Sequence, residues 1–157
     1  MFALEWLRRA DAAPASERLA ASLAAGLSAV SAQHSIGDGT FAVLLPHGDP
    51  RRARAWRPVE SGPHVVLFHG HLDNAATAAA ELGQPVPLPG DAAALARLYS
   101  AALQAWGDAT DRRLIGEYAV AVLDQSAGTL RLARSPLRAP PLHYHAAPER
   151  VIASTVV

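Results

Sequence analysis

The stretch "EYAVAVLDQSAGTLRLARS", residues 117–135, decides the fold. Two aliphatic runs flank the turn-forming segment "QSAG", so the spacing predicts a β-hairpin with strands at 117–124 and 129–135. In the second strand Leu130 and Leu132 alternate against Arg131, with Arg134 at the strand's end, the pattern of a half-buried strand. Two shorter strands are expected downstream, at "PPLHYHA" (140–146) and "RVIASTV" (150–156). The last third of the chain is therefore all strand.

Upstream the pattern changes to helix. "DAAALARLYSAALQAWG" (91–107) places Leu95, Leu98, Tyr99, Ala102, Leu103 and Trp106 on one stripe, with Asp91 as N-cap and Gly107 as stop. "QPVPLPG" (84–90) has three prolines in five residues and must run extended. "LDNAATAAAELG" (72–83) reads as a short helix capped by Asp73 or Asn74 and closed by Gly83. Before it, "HVVLFHG" (64–70) is an apolar, β-branched strand expected inside its sheet. "ARAWRPV" (53–59), "TFAVLLP" (40–46) and "MFALEW" at the N-terminus are further strands, and "ASERLAASLAAGLSAVSAQ" (15–33) has helical spacing. Runs of strands separated from runs of helices predict an α+β domain, with sheets packed face to face and helices grouped outside.

The composition narrows the chemistry. The 157 residues suit one domain, half of them are hydrophobic, and 14 basic residues balance 14 acidic ones. Zero net charge gives no pull toward nucleic acid or an anionic membrane surface. Every basic residue is arginine, which excludes a Schiff-base lysine and the lysine of a phosphate-binding P-loop. With no cysteine there is no disulfide, thiolate metal site or sulfur nucleophile. No apolar run is long enough to span a bilayer as a helix, and the charges within "EWLRRADAAP" do not fit a secretory signal. A cytoplasmic location is expected.

From about residue 64 to 154 the chain resembles the class II glutamine amidotransferase domain of asparagine synthetases. Five segments carry the likeness in order: "LFHGHLDN", "GDAAALARLYSAALQAWG", Leu114 to Asp124 ("LIGEYAVAVLD"), Arg134 followed by Pro141-Leu142, and Ala153-Ser154. The resemblance implies an αββα sandwich of the N-terminal-nucleophile type: two mainly antiparallel sheets with outer helices, formed by residues 1–157 as a single degenerate domain.

The departures from that family bear directly on activity. Its glutaminases use a residue-1 cysteine whose own α-amine is the base, because proton transfer needs hydrogen-bond reach. This chain begins Met1-Phe2 and has no cysteine to substitute. The family's Asn-Gly pair, a source of oxyanion-hole donors, is here His69-Gly70, and the adjacent glutamate is His71. The aspartate that holds the glutamine amine is matched by Asp91, although a helix cap alone explains that residue type. The carboxylate-binding arginine would be one of Arg51, Arg52, Arg54 and Arg57, and the family's Arg-Asp is Arg134-Ser135. No catalytic residue is expected; His69, Gly70, His71 and Asp91 are expected as vestiges of a glutamine site.

Loss of the nucleophile is typical of two relatives of asparagine synthetase, β-lactam synthetases and lasso peptide cyclases. Both adenylate a carboxylate with ATP and magnesium in a downstream synthetase domain, then let an amine of the same substrate attack. The chain stops at Val157, where that domain would begin, and lacks its Ser-Gly-Gly-x-Asp-Ser loop. The expectation is a non-catalytic piece of a longer amide ligase, with a lasso peptide macrolactam cyclase preferred and a β-lactam synthetase or an asparagine synthetase starting upstream as alternatives. Its expected partners are its own synthetase domain and, for a docking role, a precursor peptide or companion protease.

A metal reading competes. His69 and His71 stand at i and i+2, so on a strand they share a face, and His143 and His145 in "LHYH" repeat the spacing. Four histidines, or histidines with Asp73, would make a metal-binding protein. Sheet-end histidines held by hydrogen bonds explain the same residues, as does a charged edge for the Arg51–Arg57 run.

Overall fold

The computed structural model describes residues 1–7, 30–36, 39–44, 57–136 and 140–155. These divide into two compact units, one formed by residues 1–57 with 141–157 and the other by 58–140. In the first unit β1 (Phe2–Leu7) lies at the centre of an antiparallel sheet ordered β2-β3-β1-β9-β8. Its neighbours are β3 (Gly39–Leu44) and β9 (Arg150–Ser154), with β2 (Val30–Ile36) and β8 (His143–Ala146) at the edges. Val30 to Gln33 are therefore strand, and the helical spacing read through 15–33 fails at its C-terminal end. Pairing of β2 with β3 from Val30↔Leu44 to Ile36↔Gly39 satisfies those backbone groups and overrides an alanine-rich periodicity. The rest of that expected helix, most of the 53–59 strand and Arg51, Arg52 and Arg54 lie outside the described residues.

The second unit is built on the hairpin. β6 (Gly116–Asp124) pairs with β7 (Thr129–Arg134) and with β5 (His64–Leu72), and β4 (Val59–Ser61) closes the order β4-β5-β6-β7. β5 is internal and its apolar run is buried from Val65 to Phe68, as its composition demands. Val66, Phe68, Tyr118, Val120 and Val122 form one face of this sheet and pack against α1 (Ala75–Glu81) and α2 (Ala92–Trp106). Helix α2 follows the expected stripe: Leu95, Leu98, Tyr99 and Ala102 are buried, with Leu103 and Trp106 partly so. A 3₁₀ turn (Gly107–Ala109) and α3 (Thr110–Arg113), both unforeseen in the sequence, follow it. The buried Thr110 hydroxyl donates to Gly107 O (2.7 Å), satisfying a carbonyl at the end of α2.

Helix α1 is shorter than expected because Leu72 remains in β5, paired with Gly116. Asn74 stands at its N-cap without capping it. Its side chain instead donates to Arg113 O (2.8 Å) and accepts from Ile115 N (2.9 Å), tying α1 to the entry of β6. The helix ends as the sequence predicts. Gly83 has φ 63°, and hydrogen bonds Gln84 N→Ala79 O (2.8 Å) and Gly83 N→Ala80 O (3.3 Å) complete a Schellman motif.

One residue of the hairpin reverses its reading. Arg131 shares a face with Ala133, which packs against the helix-side core. Its guanidinium meets Asp111 (2.6 Å) and Asp108 (3.0 Å). Asp111 also accepts hydrogen bonds from Tyr99 (2.7 Å) and Tyr118 (2.9 Å) through Oδ1. Burial pushes both phenols above their ordinary range, and the Asp111 carboxylate adds to the shift.

Candidate functional site

The His69-Gly70-His71 triplet closes β5. In the register with β6, His69 stands opposite Ala119, Gly70 opposite Tyr118 and His71 opposite Glu117. Gly70 has φ 124°, and a Cβ built there would lie 2.0 Å from Glu117 O and 2.7 Å from Tyr118 Cα. The glycine therefore stands where β5 and β6 approach too closely for any side chain. His71 is exposed, with Nε2 3.4 Å from Asp73 Oδ1. His69 is half-buried, and desolvation lowers its pKa to about 4, so it is a neutral imidazole at pH 7.

That shift fixes a pH dependence. A depressed histidine pKa means the unfolded chain takes up the proton first, so the contribution of His69 is complete above pH 6.5. It is then lost as the pH falls toward 4. Discounted for the part of the ring that water reaches, the loss between pH 7 and 5 is about 1 kcal/mol. Urea unfolding of wild type and His69→Asn at pH 7.5 and 5.0 should show a shallower decline for the variant. Equal declines would remove His69 from the account.

Asp91 behaves as a cap. It precedes α2, and its Oδ1 accepts from Ala94 N (2.9 Å). Among the described residues no hydrogen bond or ion pair joins it to His69 or His71. His143 and His145 lie in the other unit, exposed on edge strand β8. No group of three or more histidine, aspartate or glutamate side chains among the described residues is placed to hold a metal ion.

In the first unit the N-terminal strand is sealed. Phe2 is fully buried, and its backbone is clamped by Thr155, which the sequence reading did not single out. Phe2 N donates to Thr155 Oγ1 (2.9 Å), while Thr155 N and its hydroxyl donate to Phe2 O (2.9 and 3.2 Å). Glu5, also fully buried, receives Arg150 Nη1 at 3.0 Å. The Met1 amine is half-buried, and desolvation lowers its pKa to about 6.

A second polar cluster, also missed from sequence, lies between β5, β6 and α2. His64 Nδ1 is 2.9 Å from Ser100 Oγ, and His64 Nε2 is 3.9 Å from Asp124 Oδ2. Despite the residue types this is not a nucleophilic triad. Ser100 is fully buried, its hydroxyl donates to Ser61 O (3.1 Å), and Gln104 Nε2 donates to it (3.2 Å). The hydroxyl is saturated and the histidine–aspartate gap exceeds a hydrogen bond. Only spacing across three elements, 36 residues between His64 and Ser100, could have revealed the cluster.

Among the described residues no helix is long and apolar enough to cross a membrane. No curated protein sequence matches the chain. Among solved structures it is similar to glutamine phosphoribosylpyrophosphate (PRPP) amidotransferase from B. subtilis complexed with ADP and GMP. The TM-score is 0.50 and the identity 15%, over 76% of this chain and 28% of that one. At this identity the likeness speaks for the fold: an α+β architecture with two antiparallel sheets, as in N-terminal-nucleophile amidotransferases. The chain thus spans about 28% of the length of that protein. The family model described as a glutamine amidotransferase domain matches residues 38–157, well over half of the sequence, and the chain belongs to that family.

Proposed function

We propose that this is a glutamine amidotransferase domain without glutaminase activity, serving as the non-catalytic N-terminal part of an asparagine-synthetase-like, ATP-dependent amide ligase. The observation that supports it is Phe2. Where the resemblance calls for a nucleophile at the head of the first strand, a phenyl ring is fully buried in β1, and no cysteine occurs elsewhere. His69, Gly70, His71 and Asp91 are vestiges of the glutamine site on this reading. His69 keeps only a neutral ring where the family has an amide, and Asp91 retains only its helix cap.

The parent is best read as a lasso peptide macrolactam cyclase, on the short, divergent first sixty residues and the alanine- and arginine-rich composition. A β-lactam synthetase or an asparagine synthetase is the alternative. ATP and magnesium belong to the synthetase domain, and no residue here is assigned to them. The partners are that domain and, through a docking face, a precursor peptide or companion protease, in the cytoplasm.

Incubation with glutamine should release no glutamate above the buffer rate. Release that disappears on mutating Thr155 or His69 would overturn the proposal. In the parent ligase, deletion of residues 1–157 that leaves a folded protein with full cyclisation activity would exclude a part in recognition.

A further inference from the structure

Within the second unit, His64, Asp124 and Gln104 edge a cleft of about 430 Å³ whose wall includes Leu103 and Val122. Each polar group has one valence committed and one open. The Ser100 hydroxyl donates to Ser61 O, so His64 carries its proton on Nδ1, donates it to Ser100 Oγ, and leaves the Nε2 lone pair open. Asp124 Oδ1 accepts from Ser126 N (2.9 Å), Ser126 Oγ (2.6 Å) and Ala127 N (2.9 Å). These bonds hold the Asp124 carboxyl below its ordinary range, and its Oδ2 takes no hydrogen bond among the described residues. Gln104 spends Nε2 on Ser100, and its Oε1 has no hydrogen-bond partner among the described residues. All three open positions are acceptors. The charges around them favour a cation: among the described residues Asp124 is the one carboxylate lining the cleft, and Arg131, which also lines it, has its Nη1 and Nη2 taken up by Asp108 and Asp111.

We propose that this cleft binds a primary alkylammonium ion, its three N–H bonds taken by Asp124 Oδ2, His64 Nε2 and Gln104 Oε1 and its alkyl chain lying on Leu103 and Val122. The 3.9 Å between Nε2 and Oδ2 is too long for those atoms to bond each other. It is short enough for one nitrogen to reach both at ordinary hydrogen-bond lengths. The chain contains no lysine, so none of its side chains can supply the ammonium. The ligand is either a free amine or a lysine side chain of another molecule.

Titration of the ¹⁵N-labelled chain with n-butylammonium at pH 7.5 and low salt should give saturable shifts at His64, Gln104 and Asp124. Asp124→Asn keeps an acceptor for the 125–127 turn and should weaken binding about tenfold or more; Gln104→Met should weaken it about threefold. Tetramethylammonium, equal in charge but without N–H donors, and Mg²⁺ should not bind. Tighter binding of Nα-acetyl-lysine methylamide than of putrescine assigns the site to a lysine side chain, and the reverse order to a free amine; both keep the ammonium assignment. Absence of saturation up to about 0.1 M, equal binding of tetramethylammonium or Mg²⁺, or wild-type affinity in both variants overturns it.

Discussion

Replacing Asp111 by alanine should cost about 3–4 kcal/mol and lower Tm by roughly 6–16 °C, although the residue is partly exposed and lies on a four-residue helix. Oδ1 accepts from Tyr99 and Tyr118, and Oδ2 accepts from Arg131. Removing the carboxylate strands two phenols whose rings are fully buried and packed on each other and on Phe68. The ring centroids are 5.6 to 6.2 Å apart, which leaves little room for water to replace the carboxylate. Arg131, whose Nε already lacks a partner among the described residues, would keep of its two carboxylates the exposed Asp108. Asp111→Asn retains an acceptor for the phenols and should lose about half as much. In the Tyr99→Phe, Tyr118→Phe background the penalty of Asp111→Ala should shrink, because no hydroxyl is then abandoned. Chemical denaturation of the four variants measures the coupling. A cost of Asp111→Ala that is independent of both hydroxyls would mean the network contributes only packing.

That network shows where the sequence was legible and where it was not. The strands at 64–70, 117–124 and 129–135 and the helix at 91–107 follow from period and punctuation, and the structure holds them with ends displaced by one or two residues. Local signals sufficed because each element's own residues specify its buried face. Arg131 was misread because alternation reports which residues share a face, not whether a charge on the buried side has found carboxylates from a distant helix. Residues 110–113 gave no usable periodicity in four residues, so the helix that carries Asp111 was invisible. Asn74 has the composition of a cap, yet its amide bridges to residues 113 and 115, 39 and 41 positions away. The family motif was legible through Leu114–Asp124. The clamp on Phe2 and the cluster around His64 depend on partners 153 and 36 residues distant, which no window of the chain contains.

Gly70→Ala should be among the most damaging single changes in the second unit, at about 4 kcal/mol or more, because two costs act at once. The φ of 124° lies where L-residues rarely go, and the new methyl would sit 2.0 Å from the carbonyl oxygen of Glu117. The obstacle is the backbone of β6, so no side chain can swing aside. β6 in turn is held on its far side by β7 from Ala119 to Asp124 and, at Tyr118 itself, by Ser135 N donating to Tyr118 O (2.9 Å), so it cannot retreat without breaking those bonds. Gly116 meets β5 in the reciprocal way, its built Cβ lying 2.3 Å from His71 O, so the two strands approach closely on both sides of the His71–Glu117 pair. Gly83→Ala separates the two costs. It shares a positive φ, 63°, but its built Cβ has no atom within 4 Å, so only the conformational term of about 1 kcal/mol remains. Equilibrium unfolding in urea of both variants makes the comparison. If Gly70→Ala proved as mild as Gly83→Ala, β5 and β6 would be free to separate at this end. The triplet His69-Gly70-His71 would then owe its glycine to something other than the sheet.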